Sequence, residues 1–186
     1  MMFIVGIDYS LTSPCVCICD SKNFGFSKCK FYYLTDNKKL AVDFDNIQGD
    51  LHEEYNSDEQ RYYNITRWAL SKIPEDAKVY LEGYSMGSTG RVFNIAENLG
   101  LLKHFLFRRC YDYTIVPPTV IKKFATGKGN ANKQLIQDVF EENTGYNIKK
   151  KLTLTDKQWN PSSDIIDSYF ICKYGYEQEL KNVYMD

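Results

Sequence analysis

The sequence predicts one α/β domain built around a mixed five-stranded sheet, with helices on the faces of the sheet. Three strand-like runs, at residues 3–8, 14–19 and 28–34, follow one another with only short turns between them, which is typical of an antiparallel meander. Helical and strand patterns then alternate, and this order favours parallel strands joined by helices. The sequence shows no internal repeat and no linker, so residues 1–186 are expected to form a single domain.

The later part of the chain supplies the remaining elements. Two apolar runs predict strands that extend the meander with a parallel pair, at residues 79–82 and 113–116. Apolar residues at helical spacing predict five helices, over residues 59–73, 92–107, 118–125, 131–142 and 163–174. Residues 35–58 are polar and acidic without periodicity, so we expect a surface insertion there, and residues 145–160 are expected to be irregular.

The charge of the chain is nearly balanced overall but uneven locally. The net charge of -1 argues against a protein that coats DNA without regard to sequence or shape. Residues 117–133 nevertheless contain four lysines and no acidic residue. A local basic segment of this kind is suited to binding phosphate groups.

Three of the six cysteines are interpreted as small buried side chains rather than as disulfides or zinc ligands, and the other three are scattered along the chain. Cys15, Cys17 and Cys19 alternate along a predicted strand, which places them on one face, and the spacing is not typical of zinc sites. The N-terminus lacks the pattern of a signal peptide, so we expect a reducing, cytoplasmic location. No apolar run approaches the roughly 20 residues that a membrane helix needs, so no membrane association is expected.

Four acidic residues are the strongest indication of function. Asp8 and Glu82 each end an apolar strand, and Asp164 and Asp167 lie three residues apart, on one face of the last helix. Carboxylates from distant segments that converge on a rigid frame are typical ligands of Mg²⁺. Two such ions assist displacement at phosphorus, so this pattern indicates a nuclease.

Four segments, in this order, resemble the RuvC-type Holliday-junction resolvases, which have a ribonuclease-H-like fold. Gly-Ile-Asp at 6–8 is similar to the first-strand motif of that family, and Tyr-Leu-Glu at 80–82 to the strand that carries its catalytic glutamate. Residues 121–133 resemble its segment of lysine, glycine-x-glycine, alanine and lysine. Asp-Ile-Ile-Asp-Ser at 164–168 resembles its Asp-x-x-Asp-Ala ending. The short chain and the turn Tyr-Ser-Leu-Thr-Ser-Pro favour a viral or phage member, which would act in the host cytoplasm.

The resemblance implies a crossover junction endodeoxyribonuclease that hydrolyses symmetric phosphodiesters of four-way DNA junctions. It implies two Mg²⁺ ions per active site, with Mn²⁺ as an expected substitute. It also implies Lys122 and Lys133 as lysines that support phosphate binding and catalysis. The residues expected to ligate the metal are Asp8, Glu82, Asp164 and Asp167.

A junction substrate leads to further expectations about DNA contacts and a dimer. The family often places an aromatic wedge three residues after the glutamate, where this chain has Ser85, and the adjacent Tyr84 is the candidate replacement. The residues expected to contact DNA are Lys122, Lys123, Lys128, Lys133, Tyr84, Ser85 and Arg91. A four-way junction has approximate two-fold symmetry, so paired incisions favour a homodimer. Its interface is expected on the helix at 92–107, through Phe93, Leu101 and Phe105.

Two other functions agree with the same residues. A related nuclease that acts on flaps, replication forks or RNA–DNA hybrids would use the same four acids. A non-catalytic module that binds branched DNA is the alternative from a different class, although clustered acids do not favour binding to DNA by themselves.

Overall fold

A mixed six-stranded sheet forms the centre of the computed structural model, which describes residues 2–20, 22–84 and 92–183. The strands are β1 (Phe3–Asp8), β2 (Cys15–Asp20), β3 (Cys29–Thr35), β4 (Ile47–Leu51), β5 (Lys78–Glu82) and β6 (Asp112–Val116). Their spatial order is β4-β3-β2-β1-β5-β6. The predicted meander of β1, β2 and β3 is antiparallel, and β5 and β6 run parallel to β1.

The prediction of five strands was wrong, because β4 adds a sixth. This strand lies within residues 35–58, which the sequence analysis interpreted as a surface insertion, and it pairs in parallel with β3. Only Ile47 of its five residues is buried, so the segment lacks the apolar alternation that signals a strand. Gly49 lies against the ring of Tyr33, where an added Cβ would stand 2.5 Å from the ring.

Within the described residues, six α-helices cover the two faces of the sheet. They are α1 (Asp58–Lys72), α2 (Val92–Arg108), α3 (Pro118–Thr126), α4 (Lys133–Thr144), α5 (Ile148–Lys151) and α6 (Ser162–Val183). The helices α1 and α2 pack on the face formed by side chains such as Val5 and Leu81, and α3 to α6 pack on the face that includes Ile4 and Tyr80. The short α5 lies in the segment that was expected to be irregular, and α6 continues past the predicted end at residue 174. None of the helices described is long and apolar enough to span a bilayer.

Two glycines allow α6 to lie directly on the central strands. A Cβ at Gly6 of β1 would stand 2.2 Å from the backbone nitrogen of Cys172, and a Cβ at Gly175 would stand 2.3 Å from the ring of Tyr80 on β5. Real side chains do not make such contacts, so both positions require glycine for this packing. The close approach fixes where the first turns of α6 lie relative to the ends of β1 and β5.

The three cysteines of β2 are buried and unbridged, as the sequence predicts. Cys15, Cys17 and Cys19 are at most 1% exposed and belong to the apolar core beneath α6. All six cysteines are free thiols, and of these Cys110 is exposed.

Candidate active site

The first two acids meet because their strands are neighbours and run in the same direction. The parallel register pairs Ile7 with Leu81, so Asp8 and Glu82 follow side by side at the carboxyl ends of β1 and β5. Residues at matching positions of adjacent strands point to the same face of a sheet. Both carboxyls therefore face the side on which α6 packs.

The other two acids come from the beginning of α6. Asp164 and Asp167 lie within its first two turns, and both influence the pKa of the Asp8 carboxyl. Negative charge is favourable near a helix N-terminus, which contributes to holding Asp164 there. The structure thus brings together all four acids that the sequence indicated, from three separate segments.

Burial and neighbouring charges both disfavour the ionised form of Asp8. It is 9% exposed, and burial raises the pKa of its carboxyl well above the ordinary value of 3.8. The charges of the three neighbouring acids raise it further, as does a hydrogen bond with Asp164. Without a cation, this environment therefore favours the neutral form of the Asp8 carboxyl over its anion.

Glu82 and Asp167 also hold protons near neutral pH. Burial raises the pKa of Glu82 to about 7, against the opposing charge of Lys122. Burial and the charge of Glu82 raise the pKa of Asp167 to about 8, although the charges of Lys133 and Lys122 oppose this rise. Carboxyl groups with such pKa values are destabilised as anions, so a bound cation at this position would be strongly favoured.

Asp164 is held by partners that the sequence analysis did not identify. Its carboxyl is 6% exposed, and burial raises its pKa while the Ser13 hydrogen bond and the charge of Lys133 lower it. The Ser13 hydroxyl donates to Oδ2 of Asp164 over 2.6 Å, and Nδ2 of Asn160 donates to the Ser13 oxygen over 2.8 Å. In the sequence, Ser13 is marked only by its place in the hydroxyl-rich turn that follows Asp8. No sequence pattern indicates a role for Asn160.

A cleft of about 710 Å³ gives access to three of the acids, Asp8, Glu82 and Asp167, and brings them close to the basic segment. One part of its wall is polar and charged, with Asp8, Glu82, Asp167, Lys122, Lys133 and Asn132. Apolar residues, among them Leu11, Ile95 and Pro118, form another part. Carboxylates and ammonium groups around one cleft are suited to a ligand that carries phosphate together with divalent metal.

Comparison with known proteins identifies this architecture. RuvC from Thermus thermophilus superimposes with a TM-score of 0.57 over 97% of both chains, at 16% sequence identity. The chain has the fold of RuvC. A second structure of Thermus thermophilus RuvC, in complex with a Holliday junction substrate, matches with a TM-score of 0.55 at 12% identity and covers 96% of each chain. The search of family models and the search of curated proteins found no match.

The RuvC comparison confirms the predicted ribonuclease-H-like fold, with six strands in place of five. It extends over nearly the whole chain, so the meander, the parallel strands and α6 all fall within the matched region. At these identities the likeness concerns the fold, and the roles of individual residues depend on the geometry of the cleft.

The donor set of this cleft fits a hard divalent cation. All four acids offer carboxyl oxygens, which Mg²⁺ and Mn²⁺ prefer. Among the described residues, no three acidic, cysteine or histidine side chains already surround a common metal position. Mg²⁺ commonly uses only one or two carboxylates and takes its remaining ligands from water and phosphate, so a cage of three is not required.

The predicted DNA contacts occupy different positions relative to this cleft. Tyr84 lines it and is 45% exposed. Lys123 lines a separate shallow depression beside Gly129, and Lys128 is exposed in the loop after α3. Ser85 and Arg91 lie outside the described residues.

The residues predicted for a dimer interface differ in exposure. Phe93 is 77% exposed at the beginning of α2, as an interface residue requires. Leu101 and Phe105 are only partly exposed, because they pack against the core beneath α2. Phe107, which the sequence analysis did not select, is 73% exposed on the same helix.

Proposed function

We propose that this protein is a metal-dependent endonuclease that resolves four-way DNA junctions by symmetric phosphodiester hydrolysis. The observation that supports the proposal is the convergence of four buried or half-buried acids from β1, β5 and α6, three of which line one open cleft together with Lys122 and Lys133. Solvation alone would favour separating these acids, so their convergence indicates a cation-binding role. One of the comparison structures with this fold is RuvC in complex with a Holliday junction substrate, which supports junctions as the substrate class.

In this proposal, Asp8, Glu82, Asp164 and Asp167 hold the divalent cations, and Mn²⁺ substitutes for Mg²⁺. When bound, two ions would supply electrostatic stabilisation to the entering and the leaving oxygen of the phosphodiester. Lys122 and Lys133 line the cleft on the side of the basic segment, where their ammonium groups bind the scissile phosphate. Asp8, which influences or is influenced by every other member of the cluster, holds the central position.

The other predicted DNA contacts extend this surface. Lys123 and Lys128 would bind neighbouring phosphates, since both are exposed on or directly after α3, the helix that also carries Lys122. Tyr84 would stack on a base at the opened junction centre. Ser85 and Arg91 remain predictions from the sequence.

A homodimer would present two active sites to the two symmetric strands of a junction. We place the interface on the exposed face of α2, where Phe93 and Phe107 project from the surface at positions fourteen residues apart. Fourteen residues make about four turns of a helix, so the two side chains lie on the same side. Two such helices would bury four exposed phenylalanine side chains.

The direct test uses a synthetic, end-labelled four-way junction with Mg²⁺, and a linear duplex of the same sequence as the control. We expect paired symmetric nicks in the junction and none in the duplex. In Asp8→Asn, cleavage should fall by about 1,000-fold or more, since metal ions stabilise such transition states by several kcal/mol. Binding of the junction should be retained by this variant, because a negative charge has been removed from the DNA-binding cleft.

Other outcomes would replace the proposal. Cleavage of a flap, a fork or an RNA–DNA hybrid in preference to the junction would keep the nuclease and change its substrate. Tight junction binding by the wild-type protein, with no cleavage in Mg²⁺ or Mn²⁺, would favour the non-catalytic binding module.

A further inference from the structure

A chain of hydrogen bonds connects a lysine of the cleft with one of its acids. Nζ of Lys133 donates to Oγ of Ser163 over 3.2 Å, and Oγ of Ser163 donates to Oδ1 of Asn160 over 3.5 Å. Nδ2 of Asn160 donates to Oγ of Ser13 over 2.8 Å, and Ser13 donates to Oδ2 of Asp164 over 2.6 Å. The chain thus begins at a cation and ends at a carboxylate.

The donor and acceptor roles of each residue in this hydrogen-bonded chain are fixed. An ammonium group only donates, so Lys133 makes Ser163 an acceptor and leaves the single proton of that serine for Asn160. At the other end, Ser13 gives its single proton to Asp164 and must therefore accept from the amide of Asn160. If the Asn160 amide were turned over, Ser13 would face two acceptors with one proton. The aligned donors polarise one another, which strengthens the last bond of the chain.

The burial of these residues concentrates the effect on Asp164. Ser13 is 2% exposed and Ser163 is 6% exposed, while Asn160 lies at the surface. Ser13 belongs to the turn that follows Asp8, and α6 carries both Asp164 and Asp167, so the bond between Ser13 and Asp164 joins the chain after one acid to the helix that carries two others. A short bond from a buried hydroxyl fixes the orientation of the Asp164 carboxyl.

We propose that Ser13 and Asn160 are positioning residues that hold the Asp164 carboxylate in the orientation in which it binds a divalent cation. This inference rests on the proposed function, since it assigns a cation to the acidic cluster. Ser13 makes the contact with Asp164, and Asn160 acts only through Ser13. Partners of this kind orient the groups that bind a metal, and their loss commonly weakens metal affinity by about 10–100-fold.

The test measures binding of Mn²⁺ to the protein without DNA, from the electron paramagnetic resonance signal of the free ion. We expect Ser13→Ala to weaken Mn²⁺ binding by about 10–100-fold and Asn160→Ala to weaken it by a smaller factor. Ser162→Ala is the matched control. It removes a buried hydroxyl from the first turn of α6, for which the described part of the chain offers no hydrogen-bond partner, and it should leave the affinity unchanged.

A double-mutant cycle separates positioning from a general loss of structure. If Asn160 acts only through Ser13, Asn160→Ala should have no further effect on Mn²⁺ affinity in the Ser13→Ala protein. Effects that add independently would overturn the chain. If the Ser13→Ala protein does not fold, the test relies on Asn160→Ala, which should fold because Asn160 is exposed. A Mn²⁺ affinity of Asn160→Ala equal to that of the wild type would then overturn the proposal.

Asp8→Asn shows whether the proposed function or this inference has failed. Wild-type protein that binds no Mn²⁺, or Asp8→Asn protein that binds it as well as wild type, would reject the metal site and the inference with it. Normal loss of binding in Asp8→Asn, with no loss in Ser13→Ala, would reject only the roles of Ser13 and Asn160.

Discussion

The acidic cluster lowers the stability of the folded protein when no cation is bound. Asp8 is buried among three other acids, so without a cation its ionised form is strongly disfavoured. We expect Asp8→Asn to stabilise the metal-free protein at pH 8 by about 1 kcal/mol or more, which corresponds to a rise in Tm of about 2–4 °C. Thermal unfolding in the presence of a chelator measures this change. Equal or lower stability of the variant would show that the cluster is not strained.

The raised pKa values predict how stability depends on pH. The pKa of Glu82 rises from 4.5 to about 7 and that of Asp167 from 3.8 to about 8, so the folded state keeps protons that the unfolded state has already lost. The contribution of these groups is therefore full below about pH 4 and falls as the pH rises towards 8. Unfolding followed at several pH values, with chelator and with Mg²⁺, should show this decline only without the metal.

The variant Asp167→Asn serves as the control for that pH dependence. It removes the group whose pKa is about 8, so the decline of metal-free stability between pH 5 and pH 8 should become shallower than in the wild type. A decline of unchanged slope would contradict the assignment of the pH dependence to this carboxyl.

At this scale the sequence revealed the acids but not what holds them. Asp8 and Glu82 could be predicted because each ends an apolar strand, where a carboxyl requires a reason. Ser13 and Asn160 are 147 residues apart, and their bond depends on tertiary packing that no local pattern encodes. The same applies to Ser13 and Asp164.

Among the secondary structure elements, α6 determines where the site forms. Its contact with β1 requires Gly6, since any Cβ there would collide with the backbone of Cys172 and Ser168. We expect Gly6→Ala to destabilise the protein by about 3 kcal/mol or more, at or above the upper end for overpacked positions, because backbone atoms cannot move aside as a side chain can. Urea unfolding measures the change.

The matched control for this prediction is Gly25→Ala. A Cβ at Gly25 meets no atom within 4 Å, so this variant should be as stable as the wild type or gain about 0.4–1 kcal/mol. Equal effects of the two substitutions would mean that α6 does not depend on the close contact at Gly6.

The element predictions succeeded where the apolar pattern was strong. The strands β1 and β5 and the helices α1 and α2 were predicted within about two residues of their observed bounds. The strand β4 was missed because its partner β3, rather than its own sequence Ile-Gln-Gly-Asp-Leu, specifies it. The length of α6 was underestimated because Gly175 resembles a helix end but instead faces Tyr80.

At the scale of the whole molecule, the proposed homodimer depends on the exposed face of α2. Phe93→Glu combined with Phe107→Glu should weaken a homodimer by at least about 100-fold, because buried aromatic residues commonly contribute about 2 kcal/mol each or more to an interface. Light scattering over a range of concentrations measures the change. The exposed Tyr63 on α1 provides the control Tyr63→Glu, which should not alter the assembly. Leu101→Glu is less informative, because Leu101 also packs against the core.

The contact of α6 with β1 has a consequence for the dynamics of the site. The strand β1 lies between β2 and β5, and helices cover both of its faces. Amide hydrogens in such a position exchange with solvent only when the whole domain unfolds. The strand that carries Asp8 therefore does not open by itself, and the acids assemble and separate together with the fold. Each loss of about 1.4 kcal/mol, wherever it arises in the domain, then lowers the ratio of assembled to disassembled sites tenfold.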